Sequence, residues 1–155
     1  DRVYYMPYLL LQGTVIDALV CRVTTLQAAS KGRLGIYACL GNGYIGDKIS
    51  ETGDIDTTTT GQKVGTITAR FFSPGWYFTA MIANVTGVAM RAYQGGSVSQ
   101  MKPTPLGETT SDLHIIWRQE DITPGWTTLP TTPNATTTAI DISSDFAPTI
   151  WMRTA

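Results

Sequence analysis

Apolar residues recur along the chain in short runs, most of them at every second position. Leu19, Cys21 and Val23 share one face, with Val20, Arg22 and Thr24 on the other. Leu34, Ile36 and Ala38 oppose Arg33, Gly35 and Tyr37, while Leu113, Ile115 and Trp117 oppose His114, Ile116 and Arg118. Half-buried antiparallel strands alternate in this way. Within residues 76–85 both faces are apolar: Phe78, Ala80 and Ile82 alternate with Tyr77, Thr79 and Met81. That run predicts a central strand, or one lying under a second subunit. Strand-like runs occupy residues 3–11, 15–26, 33–40, 63–72, 76–85, 88–93, 112–120, 138–142 and 149–153. Residues 16–29 are also long enough for a helical turn, but β-branched side chains and Thr24-Thr25 favour a strand.

Turn signals separate the runs: Lys31-Gly32, Gly41-Asn42-Gly43, Thr60-Gly61, Pro74-Gly75, Gly95-Gly96 and Pro124-Gly125. Many short strands joined by such turns read as a sandwich or barrel. The architecture expected is all-β, an antiparallel β-sandwich of jelly-roll type. Residues 94–107 and 127–138 read as loops, the second holding seven Thr and two Pro. One domain over residues 1–155 is expected, with its core in 3–93 and a C-terminal extension, 108–155, that completes or decorates it. Ser73-Pro74-Gly75-Trp76 is echoed by Thr123-Pro124-Gly125-Trp126. Four positions do not make a repeat, and both read as turns entering strands.

Composition narrows the function classes. The 155 residues carry a formal net charge of -1, and 43% are hydrophobic. Only 15% are charged, against roughly 25% in an ordinary soluble domain. These values argue against a disordered tail and against a basic nucleic-acid module. The 25 Thr, 15 Gly and 8 Pro fit strands and tight turns. No apolar run approaches the roughly 18 residues of a membrane-spanning helix, and the longest, around Met6 to Leu11, is interrupted by Pro7. Neither nucleic acid nor membrane insertion is expected.

Several clusters invite chemical readings. If runs 15–26 and 33–40 form a hairpin, Cys21 faces Ala38 and Cys39 points to the opposite face, so no disulfide is expected. His114 is the chain's one histidine, too little with two cysteines for a metal site. Asp47, Glu51, Asp54 and Asp56 form an acid cluster with three readings. It could be a carboxylate pair for glycoside hydrolysis, or a calcium loop through Asp54, Asp56 and Thr58. The third reading, a solvated loop and strand edge with turn-forming Asp and Thr, needs no ligand. His114 has Asp112 two positions away, but no nucleophile elbow or phosphate-binding G-x-x-x-x-G-K accompanies it. No metal and no cofactor are expected. Asn84-Val85-Thr86 and Asn134-Ala135-Thr136 match glycosylation sequons, a chance-prone match in a Thr-rich chain.

The aromatic residues are the stronger lead. Tyr and Trp rings stack on sugars and also dominate protein interfaces. By face, Trp117 is expected in the core, and Trp151 lies with Arg153, opposite Ile150 and Met152. Trp126 and Tyr44 sit beside glycine turns. Tyr44, Trp126, Trp151, Arg153 and His114 are the candidate ligand contacts.

Arg33-Leu34-Gly35-Ile36-Tyr37-Ala38 is followed by Asn42-Gly43-Tyr44-Ile45-Gly46 and Thr52-Gly53-Asp54-Ile55-Asp56. Thr59-Thr60-Gly61 and Phe72-Ser73-Pro74-Gly75-Trp76-Tyr77 come next, and Val15-Ile16-Asp17 lies upstream. This order and spacing, over residues 4–93, resembles the β-sandwich domains of bacteriophage tail fibres, tailspikes and head fibres. The resemblance implies scaffold roles for these residues and no catalytic ones. It implies a non-enzymatic terminal domain, with Asp1 at its junction to a larger shaft, that forms a homotrimer on the virion. Contact with host cell-surface glycan is implied as well. The rivals are a monomeric carbohydrate-binding module of a glycan-degrading enzyme, and a purely structural trimerisation or capsid-decoration domain.

Overall fold

A computed structural model describes residues 2–40, 44–85, 87–94, 117–121, 128–133, 139–141 and 146–155. Among them every regular element is a strand: β1 (Arg2–Leu10), β2 (Thr14–Thr25), β3 (Lys31–Cys39), β4 (Ile45–Glu51), β5 (Ile55–Asp56), β6 (Gly61–Phe72) and β7 (Gly75–Ala83). The shorter strands are β8 (Ala89–Met90), β9 (Ala92–Gln94), β10 (Trp117–Asp121), β11 (Ala139–Asp141), β12 (Phe146–Pro148) and β13 (Trp151–Thr154). The large sheet has the order β11-β10-β1-β7-β3-β4, with β5 also on β3. The small sheet has the order β13-β2-β6, with β8 also on β2, and β12 pairs with β9. Every pairing is antiparallel. The chain is an all-β, two-sheet sandwich.

The two sheets bury one core between them. Ile16, Leu19 and Cys21 of β2 and Phe72 of β6 meet Leu34 and Ile36 of β3 and Met81 of β7. Ile55 and Ile150 close its margins. The inward face read from Leu19, Cys21 and Val23 is the buried one. The β2–β3 hairpin considered for the cysteines does not form. β2 pairs with β6, β8 and β13, whereas β3 pairs with β4, β5 and β7. Alternation dictates which side chains point inward and is silent on which strand lies alongside. Here the two runs face each other across the core. The turn between them holds Ser30 N–H to the Gln27 carbonyl at 3.2 Å. It also places Ala29 at φ 57°, and this sends the chain to the opposite sheet.

β7, apolar on both faces, is central, between β1 and β3. Its second face, with Val3 and Tyr5 of β1, Tyr37 of β3 and Ile45 of β4, builds a second core around Phe78, Ala80 and Ile82. Tyr37, on the face opposite Leu34 and Ile36, is fully buried as well. Residues 128–133 lie over it, with Leu129 completely enclosed. Gly35 makes room, since a Cβ there would stand 2.6 Å from Leu129 Cδ1. The Tyr5 and Tyr37 rings meet edge to face at 5.2 Å, and Tyr37 donates its hydroxyl to the Pro130 carbonyl at 2.6 Å.

The turn at Pro74-Gly75 carries the chain from β6 to β7, with Gly75 at φ 149°. Tyr77 is the ring that packs beside it, edge-on to Phe72 at 5.5 Å. Leu129→Ala removes the cover from the second core and is expected to cost about 2–5 kcal/mol. Chemical denaturation checks this; an unchanged midpoint would mean that residues 128–133 do not support the sheet.

Candidate functional site

The acid cluster lies on β4, on β5 and in the turn between them, and its carboxylates are occupied. Glu51 accepts from Lys48 Nζ at 2.6 Å, from the Leu129 backbone N–H at 2.8 Å and from Arg33 at 3.4 Å. Lys48 Nζ also donates to the Leu129 carbonyl at 2.6 Å, and its backbone N–H to the Thr131 carbonyl at 2.8 Å. Asp47 accepts from the Thr132 hydroxyl at 2.7 Å. The cluster therefore latches residues 128–133 onto the edge of the large sheet. Asp54 takes Arg33 at 2.8 Å and Lys31 at 3.2 Å. Asp56 accepts from the backbone N–H and hydroxyl of Thr58, closing an Asx turn.

The hydrogen bond from Arg33 holds the Asp54 carboxyl below its ordinary value. That from Thr58 does the same for Asp56. A general acid for glycoside hydrolysis needs the opposite shift. Among the described residues no group of three or more His, Cys, Asp or Glu could hold a metal ion.

Other motifs resolve similarly. A G-x-G-x-x-G spacing after a strand was not expected, yet Gly41-Asn42-Gly43-Tyr44-Ile45-Gly46 has it. Its last two residues open strand β4 and not a helix, so they supply no helix N-terminus for a pyrophosphate. Asn84, the first residue of a sequon, accepts from the Lys31 backbone N–H at 2.7 Å and so is part of the strand-end scaffold. Cys21 and Cys39 lie in different sheets and are not disulfide-bonded. Burial pushes the Cys21 thiol up to about 11.

Of the candidate contacts, Tyr44 is 45% exposed, in the turn where its carbonyl accepts the Leu40 N–H at 2.9 Å. Trp126 and His114 lie outside the described residues, as does the side chain of Trp117. Trp151 and Arg153 share the outer face of β13, while Ile150 is buried and Met152 packs on the core. Trp151 pairs with Val20 and Val20 with Val64, so the three form one row across the small sheet. The next row holds Arg22 opposite Gln62. The Arg91 backbone N–H donates to the Arg22 carbonyl at 2.7 Å, which brings Arg91 alongside.

These residues, together with Met152 and Arg153, line a shallow groove of about 470 Å³. Trp151 is 41% exposed and Val64 44%. Arg153 is locked in a two-point pair with Asp17, at 2.9 and 2.8 Å. Its guanidinium shapes the groove wall while Asp17 satisfies its fork. The groove brings together two of the five candidates. Tyr44 stands apart, on the large sheet.

Arg22, Arg91, Gln62 and Val64 did not emerge as candidates from the sequence. The available signal was Val20 and Arg22 on the face turned away from the core. Comparison with known proteins adds no relative: no family model, curated protein or solved structure matches the chain.

Two measurements check this assignment of groups. Iodoacetamide is expected to label half-buried Cys39 well ahead of Cys21 in the folded protein, and both after unfolding. Equal rates would contradict the burial of β2. Asp17, held low by the hydrogen bond from Arg153, and Asp54 and Asp56 all have folded values below the ordinary 3.8. Their stabilisation is present above the unfolded value and is lost as pH falls through the lower, folded ones. Denaturation midpoints should therefore fall below pH 3.8, and less steeply in an Asp17→Asn, Asp54→Asn variant.

Proposed function

We propose that the chain is a jelly-roll-type β-sandwich domain of a bacteriophage fibre or tailspike, a homotrimer that contacts host-surface polysaccharide and performs no catalysis. The observation that carries this reading is the Trp151 groove. It places a half-exposed indole, two apolar neighbours, and hydrogen-bonding Arg and Gln side chains on a sheet face that no described layer covers. A flat ring that stacks on a sugar, flanked by planar donors, is the combination a saccharide site needs. Strands that pass repeatedly from one sheet to the other, β1 to β2, β2 to β3 and β6 to β7, suit a jelly roll. The occupied acid cluster supports a non-catalytic reading, and no cofactor is invoked. The working location is the virion, outside the cell.

A purely structural reading draws on one further feature. Val15 pairs with Phe71 on the same small-sheet face, and Phe71 is 63% exposed. Leu11, just beyond β1, is 82% exposed. Such side chains suit a contact between subunits. A monomeric carbohydrate-binding module would use the same groove without that contact.

Light scattering after size exclusion is expected to give the mass of three chains. Binding to a panel of bacterial surface polysaccharides should weaken by roughly 1–3 kcal/mol in Trp151→Ala. A monomer that still binds would favour the attached module. A trimer whose polysaccharide binding ignores Trp151→Ala would remove the groove from the function.

A further inference from the structure

We infer that the Trp151 groove takes an anionic saccharide, a sugar chain carrying carboxylate or sulfate groups, with Arg22 and Arg91 holding the acid group. The inference rests on the glycan-binding reading and specifies its ligand class. It follows from how the chain distributes its charges. Arg33 and Lys31 pair with Asp54, Lys48 with Glu51, and Arg153 with Asp17. Among the described residues, neither Arg22 nor Arg91 has a carboxylate within ion-pair distance. Both are exposed, and both line the one groove that also presents the indole.

The groove's hydrogen-bonding capacity is lopsided. Its lining includes Arg22, Arg91, Arg153 and Gln62 but no Asp or Glu. Neutral sugars present hydroxyls that donate as readily as they accept, and here the Gln62 carbonyl is the main side-chain acceptor. A guanidinium only donates. Two of them beside a stacking ring therefore call for a ligand rich in acceptors. A carboxylate or sulfate supplies two or more oxygens to each planar fork. Asp17 is not among the lining residues, and its charge is matched by the two-point pair with Arg153. Single-stranded nucleic acid also combines rings and phosphates, but its sites need a continuous cationic track with several stacking rings. This chain has net charge -1 and one exposed indole in the groove.

The test is calorimetric titration of the full chain with polygalacturonate, dextran sulfate, neutral dextran and oligo-dT at low salt. The expected result is binding to one or both acidic polymers, weakened by added salt, and none to dextran. Which acidic polymer binds tells carboxylate from sulfate. An Arg22→Gln, Arg91→Gln variant should lose about tenfold in affinity, as for charge-assisted hydrogen bonds. Lys63→Gln removes a charge from the neighbouring strand β6, outside the groove lining, and should leave affinity unchanged. Denaturation midpoints verify that the variants fold.

Dextran binding that ignores the arginine changes would overturn the anionic ligand and keep the glycan reading. Equal losses in the arginine variant and in Lys63→Gln would mean diffuse charge and overturn the site. Tighter binding of oligo-dT would overturn the saccharide in favour of nucleic acid. No binding of any polysaccharide, here or among bacterial surface polymers, would overturn both readings.

Discussion

The fold depends on covering the large sheet on both sides. β7 places Phe78, Ala80 and Ile82 on one face and Thr79 and Met81 on the other, all buried. A strand of this kind cannot sit at a solvent boundary without exposing a row of apolar groups. The small sheet covers one side. Leu129 and its neighbours contribute to covering the other, held by Glu51 and Lys48. The latch is polar because its occupant is an irregular segment, whose backbone groups find partners on an edge strand in place of a ladder. The small sheet differs. Its inner face supplies core, and its outer face meets no described layer. A surface with no structural duty is where a binding groove can sit without cost to the core.

Charge is distributed on the same plan. The chain is poor in ionic groups, and those described on β3, β4 and β5 serve the latch and the strand ends. Arg33 joins Glu51 to Asp54, so the carboxylates that resemble a catalytic cluster in sequence form a positioning network in space. Ion pairs at half-buried sites contribute modestly, but here they hold backbone over a buried tyrosine pair. Among the described residues, Arg22 and Arg91, which have no carboxylate partner, lie at the other sheet beside Trp151.

The amino-acid pattern revealed the strands and their inward faces, because a period of two is a local property. For the same reason it revealed β7 as covered on both faces, whether central or under a second subunit, and the sheet order makes it central. It did not reveal which strands pair. The β2–β3 hairpin failed because in-plane and across-core neighbours produce identical alternation. β4 is missing from the strand-like runs because Asp47, Lys48 and Glu51 look like solvent-facing charges until residues 128–133 are placed upon them. Leu129 was hidden in a Thr-rich run that reads as linker. At the candidate site, Trp151 and Arg153 were legible from their own strand. Arg22 and Gln62 were not, since joining them requires the pairing of β13 with β2 and of β2 with β6.

That pairing has a consequence for how the protein is made. Asp17 and Arg153 are 136 positions apart, yet they clasp the two strands that form one groove wall. During synthesis β2 leaves the ribosome long before β13 exists. Until then one edge of β2 is open, with unpaired backbone groups that invite association with other chains. Contacts so distant in sequence also close slowly. The groove is thus a late product of folding, and a chain that presents it has already brought β2 and β13 together.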